Sequence, residues 1–133
     1  MVTKAGAEQL ESVSADSLRR LFSALNCAVK ELGPHTPLRQ LMTLILIALA
    51  NKGNAPIGVR DIDKQLGELP SGTASKLLKS MMHVETERKP GVADTVHSER
   101  DPTDLRKWHL HLTAKGSDAL SKIITCLEPP RQA

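Results

Sequence analysis

Aromatic side chains are almost absent from this chain of 133 residues, which contains one Phe, one Trp and no Tyr. Proteins that hold single-stranded nucleic acid on a stacking platform need several exposed rings, so the composition disfavours that class. Because Phe22 and Trp108 are the only members of the Phe, Trp and Tyr class, the core must be built from Leu, Ile, Val, Met and Ala. A core of this kind suits packed helices.

Cysteines are few, and long apolar runs are missing. Cys27 and Cys126 form no CxxC pair, so neither a zinc site nor a disulfide scaffold is predicted. The longest apolar stretch, residues 44–50, is far shorter than the ~20 residues that span a bilayer. The chain also opens without a basic and apolar leader. We therefore expect a protein of the reducing cytoplasm with no membrane partner.

The signatures of an enzyme are missing as well. The sequence shows no Ser-His-Asp order, no paired carboxylates and no phosphate-cradling glycine loop, so we expect neither catalysis nor a cofactor. Apolar residues make up 40% and charged residues 25%, and the formal net charge is +3. This is the composition of one soluble globular domain. Its mild basic excess is compatible with a phosphate-contacting face.

Two long helices are predicted in the first half of the chain. Apolar residues recur at helical spacing over residues 18–32, with Ser14 as the N-cap and Gly33 followed by proline as the stop. A second helix is predicted to open with Thr36 as its N-cap, to have proline at its first position and to end near Gly53. Its second half is apolar on all sides, which predicts a central, buried position.

A helix-turn-helix is predicted next, with a short helix over residues 59–66 and a tight connection over residues 67–71. Ser71 is predicted to cap a fourth helix that ends near Met82. On a helical wheel, one side of this helix is apolar and should pack onto the core. That side consists of Ala74, Leu77, Leu78 and Met81.

The other side of the fourth helix is polar and contains no acidic residue; it carries Thr73, Ser75, Lys76, Lys79 and Ser80. Small hydroxyl groups let a helix approach base edges, and lysines reach guanine acceptors or phosphates. The pattern therefore favours contact with DNA. A solvated helix face has a similar composition, and this interpretation stays open beside the first.

Beyond this helix the period of the pattern changes from 3.6 to 2. Alternation over residues 108–112 predicts a half-buried strand. Its antiparallel partner is predicted at residues 84–89, with residues 90–106 as an extended hairpin tip. Thr113 is the predicted N-cap of a last helix. The order indicates a mainly α fold with a small β-hairpin wing (α+β), a winged helix-turn-helix.

Histidines and cysteines offer two further interpretations. His109 and His111 alternate on one strand face, and His83 and His97 are nearby in sequence, but no third ligand stands at a recognisable metal-site spacing. We predict no metal site. No group near either cysteine in sequence is expected to lower a thiol pKa, which favours packing over redox sensing.

Two motifs stand close together in the second half of the chain. Asp104-Leu105-Arg106 is a D-x-R triplet beside an Asp-rich tip, and residues 112–116 read Leu-Thr-x-x-Gly at the start of the last helix. With the order of helices, they resemble the wing signature of MarR-family winged-helix transcription regulators over roughly residues 15–127.

This resemblance implies that Arg106 enters the minor groove beside the recognition helix, while Asp104 holds the wing in shape through an ion pair. It also implies a homodimer built from the first and last helices. The family usually has a glycine between the recognition helix and the wing, whereas residues 81–84 contain none, and residues 90–100 make the wing longer than usual. The candidate DNA-contacting residues are Ser71, Thr73, Ser75, Lys76, Lys79, Arg88, Lys89, Arg100, Asp104 and Arg106.

We divide the chain into a flexible arm, residues 1–13, and a single winged-helix domain, residues 14–133. Within it, residues 14–52 and 113–128 form the dimerisation helices, and residues 57–112 form the helix-turn-helix and the wing.

The predicted function is that of a homodimeric transcriptional regulator that binds double-stranded DNA sequence-specifically; a small-molecule ligand is left open. The alternative is a winged-helix protein-interaction module, or a replication or architectural module, of a plasmid or phage assembly. The modest net charge favours this alternative, as do the acidic wing residues Asp94, Glu99, Asp101 and Asp104.

Overall fold

The structure is a computed structural model that describes residues 9–67, 69–84 and 91–128. Residues 1–8, most of the predicted arm, lie outside this part of the chain. The elements are α1 (Ala15–Leu32), α2 (Leu38–Lys52), α3 (Val59–Gln65), α4 (Thr73–Met82), β1 (Val96–Arg100), β2 (Trp108–Leu112) and α5 (Ala114–Thr125). None of the helices in the described ranges combines the length and the apolar character needed to cross a membrane.

Helix α1 begins and ends as the sequence predicts. The Ser14 hydroxyl accepts hydrogen bonds from the backbone N–H groups of Asp16 and Ser17, at 3.1 and 3.3 Å. Two otherwise unpaired donors of the first turn are thereby satisfied. At the other end, Gly33 has a φ of +97°, and its N–H donates to the carbonyl of Val29 at 3.0 Å.

Helix α2 lies at the centre of the molecule, where it contacts α4, α5 and β2. Leu44 and Ile47 are completely buried, which confirms the predicted central position. The predicted N-cap, however, is wrong by one residue. Pro37 occupies the N-cap position, while the Thr36 hydroxyl donates backwards to the carbonyl of Leu32 and ties the connection to α1.

Helices α3 and α4 form the predicted helix-turn-helix, and Ala74, Leu78 and Met81 of α4 are buried as expected. The prediction that Ser71 caps α4 is wrong. Gly72 occupies the N-cap position with a left-handed φ of +83° and contributes no side-chain cap. Glycine adopts this conformation without the steric cost that a side chain brings, and the turn therefore uses glycine where a serine cap was expected.

The hairpin differs from the prediction in its first strand. Strand β1 covers Val96–Arg100 and pairs antiparallel with β2, from Val96 opposite Leu112 to Arg100 opposite Trp108. Val84 is exposed and irregular, and residues 85–90 lie outside the described ranges. The prediction that residues 84–89 pair with β2 is therefore wrong, because residues 96–100 occupy that place. The tip shortens to residues 101–107, and Gly91 now falls between α4 and β1.

Thr95 explains why the strand starts where it does. It is completely buried, and its N–H donates to the carbonyl of Met81 at the end of α4, at 3.0 Å. Its carbonyl accepts from the N–H of Thr113 at 3.1 Å. These two bonds join the start of β1 to the last turn of α4 and to the end of β2.

Helix α5 packs against α1 and lies directly over the backbone of Thr95. The Thr113 hydroxyl accepts from the N–H of Gly116 at 3.1 Å, as the predicted cap requires. A Cβ atom at Gly116 would lie 2.1 Å from the Thr95 carbonyl oxygen. The glycine of the Leu-Thr-x-x-Gly motif is thus required by close approach between the helix and the strand.

Gly116→Ala is predicted to destabilise the fold. The added methyl group meets a backbone carbonyl at 2.1 Å, so α5 or the start of β1 must move. Overpacking of this kind costs about 1–3 kcal/mol, measurable as a loss in the free energy of unfolding in urea. Gly53→Ala is the matched control, because its Cβ would lie 3.5 Å from the nearest atom. Equal stability of the two variants would contradict the prediction.

Candidate nucleic-acid interface

Helix α4 presents a basic, hydroxyl-bearing face to solvent. Ser75, Lys76 and Lys79 are exposed, and Thr73 at the start of the helix is partly buried. The helix contains no carboxylate, so the positive charge of the two lysines is not offset within it. An outward face of this kind can approach a polyanion without like-charge repulsion.

Ser80, on the same helix, is bonded to a residue of α2. Its hydroxyl accepts a hydrogen bond from the side-chain amide of Gln40 at 2.7 Å and donates to the carbonyl of Leu77 at 2.8 Å. Gln40 is only 7% exposed. Nothing in the sequence pattern points to this contact between α2 and the last turn of α4.

The hairpin tip, residues 101–107, is organised by Asp101. One carboxylate oxygen accepts from the hydroxyl and the N–H of Thr103, at 2.6 and 2.7 Å, and from the N–H of Asp104 at 3.3 Å. Hydrogen bonds from the Thr103 hydroxyl, then from its N–H, lower the pKa of Asp101 below its ordinary value. The carboxylate therefore stays ionised and keeps the turn closed at neutral pH.

Asp104 and Arg106 meet at the end of this turn. The N–H of Arg106 donates to the Asp104 carboxylate at 3.1 Å, and the Arg106 Nε lies 3.6 Å from the same oxygen. The ion pair that the family resemblance implies is therefore present in the geometry. The side chain of Arg106 is 94% exposed, so the tip projects a cation into solvent.

Arg100 and Trp108 form the last pair of the strand ladder before the tip. The Arg100 guanidinium lies over the indole ring at 4.8 Å from its centroid, a cation–π contact. Both residues are exposed. Arg100 is thus kept at the base of the tip by the ring beneath it.

The structure gives less information about the three remaining candidates. Ser71 is exposed in the turn before α4. Arg88 and Lys89 lie outside the described residues. The structure therefore gathers the candidates into two groups, Ser71 to Lys79 on the helix-turn-helix and Arg100 to Arg106 on the hairpin. The two groups are joined through Thr95, whose N–H bonds α4.

No protein-family model and no curated protein matches the sequence. Among solved structures, the chain is similar to a selenomethionine derivative of a MepR mutant from a multidrug-resistant clinical isolate of S. aureus. The TM-score is 0.55 at 21% identity, over 86% of this chain and 76% of that one. The chain has a winged-helix fold. MepR is a winged-helix regulator of the MarR family, so the resemblance noted in the sequence is confirmed as a likeness of fold.

In the winged-helix fold, α4 occupies the position of the second helix of the helix-turn-helix, and β1, β2 and their tip form the wing. One face of the wing is lined by imidazoles and carboxylates. The rings of His97 and His111 stack across the strands at 5.5 Å. His97 lies 3.0 Å from Glu99, and His109 lies 3.3 Å from Asp101. Within the described ranges, no group of three His, Cys, Asp or Glu side chains could hold a metal ion.

The two cysteines meet between α1 and α5, although 99 positions separate them in sequence. Burial raises the pKa of the Cys27 thiol, and the neighbouring Cys126 thiol raises it further. Both thiols are free and partly buried. The sequence pattern does not predict this contact, because no local motif links the two helices.

We expect Cys27 to react slowly with iodoacetamide at pH 7.5, more slowly than glutathione does, because only the thiolate is nucleophilic. Cys126→Ala removes the neighbouring thiol, so alkylation of Cys27 should then be faster. Peptide mass mapping separates the two sites in the wild-type chain. Alkylation of Cys27 at or above the glutathione rate would contradict the raised pKa.

Proposed function

We propose that this chain is a transcriptional regulator that binds double-stranded DNA as a homodimer. The observation that carries the proposal is the pairing of an acid-free recognition helix with a wing that projects Arg106. These are the two elements with which winged-helix proteins contact DNA. We propose that it works in the cytoplasm and without a cofactor.

The recognition helix is proposed to lie in the major groove. Ser75 and Thr73 are short enough to allow close approach to base edges, and Lys76 and Lys79 reach guanine acceptors or phosphates. Ser71 is proposed as a phosphate contact at the start of the helix. In a dimer, two such helices would enter successive major grooves about 34 Å apart, which favours a roughly palindromic site.

The wing is proposed to contact the adjacent minor groove through Arg106. A narrow minor groove concentrates negative potential and attracts arginine. Asp104 fixes the backbone of Arg106 and leaves its guanidinium exposed. Arg100, held on Trp108, is proposed to contact a phosphate next to this groove. Arg88 and Lys89 remain sequence-based candidates for phosphate contacts of the same kind.

The homodimer is proposed from the exposed apolar side of α1. Residues at spacings of three and four along one side of this helix are large, apolar and at least 42% exposed: Leu18, Leu21, Phe22, Leu25 and Val29. Ile124 and Leu127, in and just beyond α5, are also exposed. A contiguous apolar surface of this kind is typical of an interaction site. In a two-fold symmetric dimer, the apolar surfaces of the two chains would cover each other.

The double variant Lys76→Ala/Lys79→Ala tests the recognition helix. We expect its affinity for duplex DNA to fall at least about tenfold, because each lost base or phosphate contact costs ~1–3 kcal/mol. Thermal stability should barely change, since both side chains are exposed. Affinity is measured over a series of salt concentrations, where wild-type binding should weaken steeply. Lys30→Ala, which removes one exposed lysine of α1, is the control for loss of positive charge away from α4.

Three outcomes of this experiment have different meanings. Unchanged affinity in the double variant would show that α4 is not the recognition helix. No binding by the wild type at low salt would favour the protein-docking alternative. Binding without a preferred site, when bound duplexes are selected from a random library, would favour an architectural role.

Phe22→Asp tests the dimer. Phe22 is 72% exposed in the single chain, so the substitution should leave the fold intact and convert a dimer into a monomer in light scattering at micromolar concentration. Leu105→Asp places the same charge at an equally open site on the wing tip, 65% exposed, and should stay dimeric. A wild-type monomer under these conditions would refute the dimer.

A further inference from the structure

Asn51, in the last turn of α2, bonds the open edge of β2. The Leu112 N–H donates to the side-chain oxygen Oδ1 of Asn51 at 3.1 Å, and the side-chain Nδ2 of Asn51 donates to the backbone carbonyl of Leu110 at 3.2 Å. The N–H of Leu110 donates to the carbonyl of Ile57 at 2.8 Å. In the described part of the chain the sheet of the wing has two strands, so the asparagine side-chain amide bonds β2 as a piece of a third strand would.

Asparagine is the side chain that fits this position. Its amide offers one carbonyl acceptor and an NH2 donor on a short stem, matching the donor and acceptor that a strand edge presents. Aspartate keeps the acceptor but faces the Leu110 carbonyl with negative charge. Leucine offers neither group and leaves both backbone groups without this partner.

Gln40 makes the corresponding contact at the other end of α2. Its side-chain amide donates to the Ser80 hydroxyl in the last turn of the recognition helix, at 2.7 Å. Asn51 follows Gln40 by eleven positions, which is about three turns and about 16 Å along the helix. The two amides therefore leave α2 from nearly the same side. Leu44 and Ile47, fully buried between them, fix this stretch of helix in the core.

We propose that α2 sets the position of the wing relative to the recognition helix, with Asn51 and Gln40 as its two positioning residues. This inference rests on the proposed function, in which α4 and Arg106 both contact DNA. A recognition helix and a wing that enter neighbouring grooves must keep a fixed separation, because a contact surface displaced by about 1 Å loses its geometry. Neither amide touches DNA; each acts through the element that it bonds.

Double-mutant cycles test the assignment, with duplex DNA affinity as the readout. Asn51→Asp should weaken binding about tenfold, comparable to the loss of one wing contact. Combined with Arg106→Ala, it should add little further loss, because both changes remove the same contact. Combined with Lys76→Ala, the two losses should multiply in full, because independent sites are additive in free energy. Gln40→Met should show the reverse pattern, coupled to Lys76→Ala and independent of Arg106→Ala.

Amide hydrogen exchange supplies a readout that needs no DNA. In Asn51→Leu, the N–H of Leu112 should exchange faster than in the wild type, while amides in the middle of α1 keep their protection. If Asn51 had a merely structural role, exchange would be faster throughout the domain. The loss of DNA affinity in Asn51→Asp would then multiply equally with the losses in Lys76→Ala and in Arg106→Ala. That result would overturn the proposal.

Failure of the proposed function looks different. If neither Lys76→Ala nor Arg106→Ala changes affinity, the DNA surface itself is wrong, and the positioning role falls with it. If both weaken binding but Asn51→Asp binds like the wild type, the DNA surface stands and the positioning role of Asn51 is refuted. Faster exchange of Leu112 with unchanged DNA affinity has the same meaning.

Discussion

The buried backbone of Thr95 is the point on which the winged-helix arrangement depends. Its N–H bonds the last turn of α4, its carbonyl bonds the residue that caps α5, and α5 crosses over it at Gly116 without a side chain between them. Three elements therefore meet at the backbone of one residue, which is completely buried. A buried peptide without partners is costly, so these bonds hold the start of the wing in one place. The position of the wing tip and of Arg106 depends on this start of β1, together with the bonds that Asn51 makes to β2.

Most local signals could be predicted from the sequence, although the Thr36 and Ser71 caps are wrong by one residue, whereas contacts between distant residues could not. The Ser14 and Thr113 caps and the inward side of α4 depend on neighbours within four positions, and the structure bears them out. The predicted position of the first wing strand is wrong because residues 84–89 and 96–100 are both polar segments that begin with a single valine. Burial of Thr95 decides between them. That burial depends on contacts with α4 and α5, which no local pattern contains.

The candidate site divides in the same way. Exposure of Lys76 and Lys79 follows from helical periodicity, because a wheel separates inward from outward residues. The contacts of Gln40 with Ser80 and of Asn51 with β2 join residues far apart in the chain. Glutamine and asparagine within a helix have no sequence signature when they bond another element. The amides that bond α4 and the wing to α2 are consequently visible only in the structure.

The internal bonds of the wing also bear on the choice between DNA and a protein as partner. As free surface charges, its acidic residues would favour a protein-docking module. In the structure, Asp101 closes the turn around Thr103, Asp104 holds the backbone of Arg106, and Glu99 lies against the imidazole of His97. Carboxylates engaged in this way give shape to the tip, and their charge is partly balanced by their partners. The guanidinium of Arg106 projects from this framework and is 94% exposed. An exposed cation of this kind is complementary to a polyanion such as the proposed DNA partner.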